Sequence, residues 1–170
     1  MRRLLDALFQ GAAVLAALCM IGLLAMVLLA IVSRQLGFHV RGTDAYAGYL
    51  MAAAGFLALA HTFKKGEHIR VTLLINHLHG RSRRVLELWS LAMASLLGVL
   101  LAWYSCRLAW QSYDFNDIST GNDATPLWLP QLGMAVGTVV FALALLDELQ
   151  LSWRGRATAM PADPESLRNE

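Results

Sequence analysis

The side chains able to do chemistry lie almost entirely outside the long apolar stretches of this chain. Neutral runs cover Ala7–Ser33, Ala45–Phe63, Leu88–Cys106 and Ala124–Leu146, and the one histidine within them is His61, three residues before Lys64. An ion or proton relay inside a membrane needs an ionisable group near mid-depth, and these runs offer none. A haem-carrying bundle needs facing histidines, but His39, His68, His77 and His79 all fall in connecting segments. His68, His77 and His79 match no standard metal spacing. Ser33, Ser90, Ser95 and Ser105 have no histidine at matching depth to act as a base. Cys19 and Cys106 show neither CxxC nor Cys/His spacing. Their depths differ by roughly 20 Å at the helical rise, beyond the ~7 Å Cα reach of a disulfide. The expectation is no catalytic residue, no metal and no cofactor. His61 reads as an interfacial structural residue.

The elements that carry these residues follow from the same pattern. The chain has 170 residues, 57% hydrophobic and 15% charged, whereas soluble domains average about 25% charged. The charges cluster between four stretches near the ~20 residues that cross a membrane as a helix. Isolated spans must be helical, because backbone groups in lipid have to pair internally. The reading is an all-α membrane protein with one four-helix transmembrane domain over residues 1–155. Its spans fall at about 10–33, 45–63, 85–107 and 126–147, and residues 156–170 form a flexible cytoplasmic tail. The first run is longer than the ~7–15 residues of a signal-peptide core, so Arg2 and Arg3 precede an uncleaved anchor. Between spans two and three, Val71, Leu74, Ile75 and Leu78 recur at helical spacing before Gly80. That predicts a short amphipathic helix over 67–79 on the cytoplasmic membrane surface. A loop packed on the bundle is the alternative.

Orientation follows from the basic residues. One side holds Arg2, Arg3, the Lys64–Arg84 connection with six basic residues, and the tail. The other holds only Arg34, Arg41 and Arg107. The positive-inside rule then places both termini in the cytoplasm. Trp103, Tyr104, Trp110, Tyr113 and Trp128 gather at the outer ends of spans three and four, as expected of an aromatic belt. No basic patch with interleaved aromatics is present, so the expected surroundings are lipid and protein, not nucleic acid.

Finer features set the helix ends and faces. Thr43 suits an N-cap with Asp44 in the first turn, and Ser82 suits another. A helix from Ser82 to Tyr113 would measure about 48 Å and must tilt or protrude. Pro126 suits a first helical turn, while Pro130 predicts a kink or a later start. Small residues that let helices approach closely are Gly48 and Ala52, then Ala94, Gly98 and Ala102, then Gly133 and Gly137. The external charges Arg34, Arg41, Asp114, Asp117 and Asp123 are candidate docking contacts. The plainer reading makes them solvated faces and topology signals.

The segment Gly55-Phe56-Leu57-Ala58-Leu59-Ala60, with Gly66-Glu67-His68-Ile69-Arg70-Val71, resembles the second-span signature of a known family. That family comprises the small membrane (Q) subunits of tripartite ATP-independent periplasmic (TRAP) transporters. Asp44 sits where the family has an acidic residue opening the span, and Thr72 replaces a usual acidic residue. Trp110-x-Ser112, Ser119, Thr125-Pro126-Leu127-Trp128 and Pro130-x-x-Gly133 resemble its loop into span four. The resemblance implies a scaffold subunit in the bacterial inner membrane and no enzyme activity. Its partners would be a large multi-span subunit, which moves a sodium-coupled organic anion such as a dicarboxylate, and a periplasmic binding protein. The competing readings are a self-contained homo-oligomeric transporter or channel lined by Ser95, Ser105 and Thr138, and a membrane enzyme or electron carrier using His61.

Overall fold

Four helices form where the neutral runs lie. The computed structural model describes residues 2–38, 40–64, 81–121 and 123–154. They hold α1 (Arg2–Gln35), α2 (Thr43–Lys64), α3 (Arg81–Asp114) and α4 (Trp128–Trp153). All four are long and apolar enough to cross a membrane. The amphipathic helix expected over 67–79 and the tail at 156–170 fall outside the described residues. At the helical rise, the 34 residues of α1 and of α3 each extend about 51 Å. Both exceed a ~30 Å hydrocarbon layer and must tilt or project from it.

The helices stand side by side in the order α1, α2, α4, α3. α1 packs on α2, α2 on α4, and α4 on α3, while α1 touches α4 only slightly. That slight contact lies at one end, where Phe9, Ala12 and Ala16 of α1 meet Leu57 and Ala60 of α2 and Val140 and Ala144 of α4. α4 is therefore the central element and is buried on two stripes. Gly133, Gly137, Val140 and Ala144 recur at four-three-four spacing, and Ala135, Thr138, Ala142 and Leu145 at three-four-three. α3 buries Ser95, Gly98, Ala102, Ser105, Ala109 and Ser112 at alternating steps of three and four. This is the spacing of a shallow left-handed seam. Its opposite face exposes Leu97, Trp103 and Trp110.

Close approach, not bulk, defines both α4 seams. A Cβ at Gly137 would lie 2.5 Å from the Phe56 carbonyl carbon and 2.8 Å from the Leu57 nitrogen. One turn away, a Cβ at Gly133 would meet the Ala53 Cβ at 2.8 Å. Across the other seam, Gly98 faces Leu145 Cδ1 at 2.6 Å from its notional Cβ. Thr138 is fully buried, and its hydroxyl donates back to the Met134 and Ala135 carbonyls of its own helix at 2.9 and 3.0 Å. On α2 the seam residues are Ala54, Leu57 and Ala60 with Ala53. Gly48 meets no neighbour within 4 Å and Ala52 is exposed.

The proline reading needs adjustment. α4 starts at Trp128, so Pro126 precedes the helix and pairs with Ile118 in an isolated antiparallel bridge. Pro130 takes the first-turn position instead. A first-turn residue has no intrahelical acceptor for its N–H, so a proline there costs no hydrogen bond.

Gly137→Ala is expected to destabilise the chain by about 1–3 kcal/mol, because the clash is with backbone and only a helix shift relieves it. Gly48→Ala adds a Cβ that meets no neighbour within 4 Å and is expected to be neutral or to stabilise by up to about 1 kcal/mol through helix propensity. Thermal unfolding of the two variants in the same detergent separates these outcomes.

Candidate functional site

With no ionisable group in the interior of the spans, the polar groups able to act are concentrated at the two ends of the helix array. One end is built by the 36–42 connection and the 115–127 connection, which meet beside the start of α2. Asp123 lies at the centre of this end. Its Oδ1 accepts from the Ser119 hydroxyl at 2.8 Å and its Oδ2 from the Tyr49 hydroxyl at 3.0 Å. A carboxylate is an acceptor only, so both hydroxyl protons point to it, and Ser119 Oγ is left free to accept from the Gly121 N–H at 3.2 Å. The Thr125 and Tyr46 hydroxyls lie 3.1 Å apart, giving α2 a second tie to the same loop. Gly42 sits at φ +80, and a Cβ there would meet Asp123 Cβ at 2.8 Å.

The loop backbone is ordered around this carboxylate. Ser119 N–H donates to the Thr125 carbonyl at 2.8 Å, and Leu127 N–H to the Asp117 carbonyl at 2.9 Å. Asn116 and Ala124 both adopt left-handed φ, at 51 and 47. The Thr125 hydroxyl holds the Asp123 carboxyl down to about 2, with partial desolvation acting against it and Ser119, Tyr49 and its own N–H adding to the lowering.

The opposite end carries an ion pair. Lys64 Nζ donates to Asp147 Oδ2 at 2.6 Å, linking the last turn of α2 to α4. The same ammonium lies 4.7 Å from the Phe9 ring centroid, so α1 joins the contact through a cation–π interaction. Three helices are thus gathered by one lysine.

The external charges singled out from the sequence do not form one site. Asp123 is half-buried in the loop cluster. Asp114 ends α3 and Asp117 lies in the loop, both exposed, and Arg41 is exposed in the other connection. Arg34 lines a cavity between α1 and α2 together with Asp44. Tyr46 and Tyr49 were not among the candidates, and no local pattern marks them, since Tyr49 reaches Asp123 across 74 residues. Ser95, Ser105 and Thr138 are all buried within the chain. Cys19 and Cys106 are free thiols. Among the described residues, no three of His, Cys, Asp and Glu gather as a metal site.

The pH dependence of the Asp123 cluster has a defined sign. A carboxyl lowered from 3.8 to about 2 stabilises the folded loop fully above 3.8 and loses that effect as pH falls through about 2. The contribution of this group to the melting temperature should be fully present and independent of pH between about pH 5 and pH 8, and the melting temperature should fall on acidification below the unperturbed value of 3.8. Asp123→Asn should lower the neutral-pH melting temperature and remove this part of the acid response. An unchanged acid limb in the variant would contradict the assignment.

The family model described as the DctQ component of tripartite ATP-independent periplasmic transporters matches residues 23–155. No curated protein matches the chain.

Proposed function

The chain belongs to the DctQ family of tripartite ATP-independent periplasmic transporters, and on that premise we propose that it is the static scaffold of a three-part uptake system. It is a membrane component of a transporter, with helices fit to span the bilayer. The large membrane subunit carries and moves the substrate, and a periplasmic binding protein delivers it. The substrate is an organic anion, a carboxylate such as a dicarboxylate, and its uptake is coupled to sodium. Both termini face the cytoplasm and the membrane is the bacterial inner membrane.

The observation that carries this reading is the chemistry of the interior. No charged side chain occurs between Asp6 and Arg34, Asp44 and Lys64, Glu87 and Arg107, or Asp123 and Asp147. A subunit that moved ions or carboxylates through itself would need such groups at depth. The hydroxyls that could substitute for them are buried in the single chain, which weighs against the homo-oligomeric channel. Gly48 and Ala52, open on α2, and the outward face of α3 are the surfaces offered to the large subunit. Arg41, Asp114 and Asp117 are offered to the binding protein from the outer loops.

Affinity purification of the tagged chain from its native membrane should recover a larger multi-span protein. Liposomes holding all three components should take up the anion when sodium is supplied outside. Liposomes holding this chain alone should take up none, and sodium-driven uptake by the chain alone would overturn the proposal.

A further inference from the structure

Arg34 and Asp44 line the mouth of a cleft between α1 and α2, and among the described residues neither side chain forms an ion pair. Arg34 stands in the last turn of α1 and Asp44 in the first turn of α2. Each suits the dipole of its own helix end, which explains the residue types but not the space between them. That space is a cavity of about 360 Å³. Its floor is apolar, formed by Met26, Val27, Ala30 and Ile31 of α1 and Ala47 of α2. A second cavity of about 240 Å³ continues it under the 36–42 connection and shares Ala30, Arg34, Thr43 and Asp44. The cleft therefore runs from an apolar floor on the spans to a mouth carrying one cation and one anion, where the spans give way to the loop.

We propose that this cleft is a binding site for a zwitterionic phospholipid whose headgroup carries a primary ammonium. The acyl chain lies on the apolar floor, where water has few partners. Arg34 takes the phosphate, a group its fork of donors fits. Asp44 takes the ammonium. A purely anionic headgroup meets Arg34 equally well but is repelled by Asp44. A headgroup with a quaternary amine offers Asp44 no N–H donor. The charge pair thus selects among lipids that share one phosphate, and the inference is independent of the transport reading.

The test uses the full chain in mild detergent and native mass spectrometry, with dioleoyl-phosphatidylethanolamine and dioleoyl-phosphatidylglycerol added separately. The unmodified chain should retain the ethanolamine lipid in preference. Arg34→Gln should weaken both lipids by about tenfold, the loss expected for one charge-assisted hydrogen bond. Asp44→Asn should leave the glycerol lipid bound and reduce the ethanolamine lipid to the same level. Ala47→Phe fills the floor without touching either charge and should release both lipids, with circular dichroism checking that helix content is kept. Inorganic phosphate in excess should displace neither lipid. Equal retention of the two lipids by the unmodified chain overturns the proposal. So do retention unchanged in both Arg34→Gln and Ala47→Phe, displacement by phosphate alone, and a co-purified polypeptide crosslinking at position 34 in place of lipid.

Discussion

The meeting of α2 and α4 at Gly137 is the contact on which the rest of the arrangement depends. Between helices in lipid there is little hydrophobic force, because the surrounding tails are as apolar as the side chains. Association then comes from dispersion over surfaces that approach closely. At Gly137 the backbone of α2 comes so near that no Cβ fits. This proximity sets Gly133 against Ala53 one turn away and leaves Val140 and Ala144 to close over Phe9 and Ala60. With α2 fixed on one side, α4 presents Ala142 and Leu145 to Gly98 of α3 on the other.

The polar groups act at the ends of this packed centre and fix its register. Lys64 and Asp147 tie α2 to α4 at one end, and Tyr49 and Tyr46 tie α2 to the α3–α4 connection at the other. Ties of this kind near the aqueous boundary avoid most of the desolvation that a charge in the bilayer centre would suffer. They prevent the helices from sliding along a seam whose small residues, taken alone, permit several registers. The two ends differ in chemistry. The Lys64 end is an ion pair with an aromatic neighbour, whereas the Asp123 end is a carboxylate saturated by hydroxyls, whose charge persists throughout the neutral range.

Much of the fold was legible because neutral runs of about twenty residues have one outcome in lipid. Gly98, Gly133 and Gly137 could be singled out because small residues recur beside them at helical spacing, but the same pattern at Gly48 and Ala52 marks no contact among the described residues. The α2 face was harder to read. Ala52, Ala53 and Ala54 are consecutive, so small size occurs all round the helix and only the partner decides that Ala53 and Ala54 turn inward. The start of α4 was placed two residues early, since Pro126 and Pro130 both suit a first turn and the Ile118–Pro126 bridge that excludes one of them is a tertiary pairing. Neither end clasp was visible. Lys64 finds Asp147 across 83 residues and Tyr49 finds Asp123 across 74, distances over which sequence spacing carries no information. The lateral order of the helices was equally hidden.

That lateral order bears on how the chain is made. α4 emerges from the ribosome after the other three helices, yet it occupies an inner position, between α2 and α3. Until it is inserted, α1 and α2 can pair, but α3 lacks the partner for its buried stripe and its serines face lipid. The array therefore cannot be laid down in the order of synthesis. It closes only when α4 intercalates between α2 and α3, so this part of the fold waits for α4 and is not complete before it.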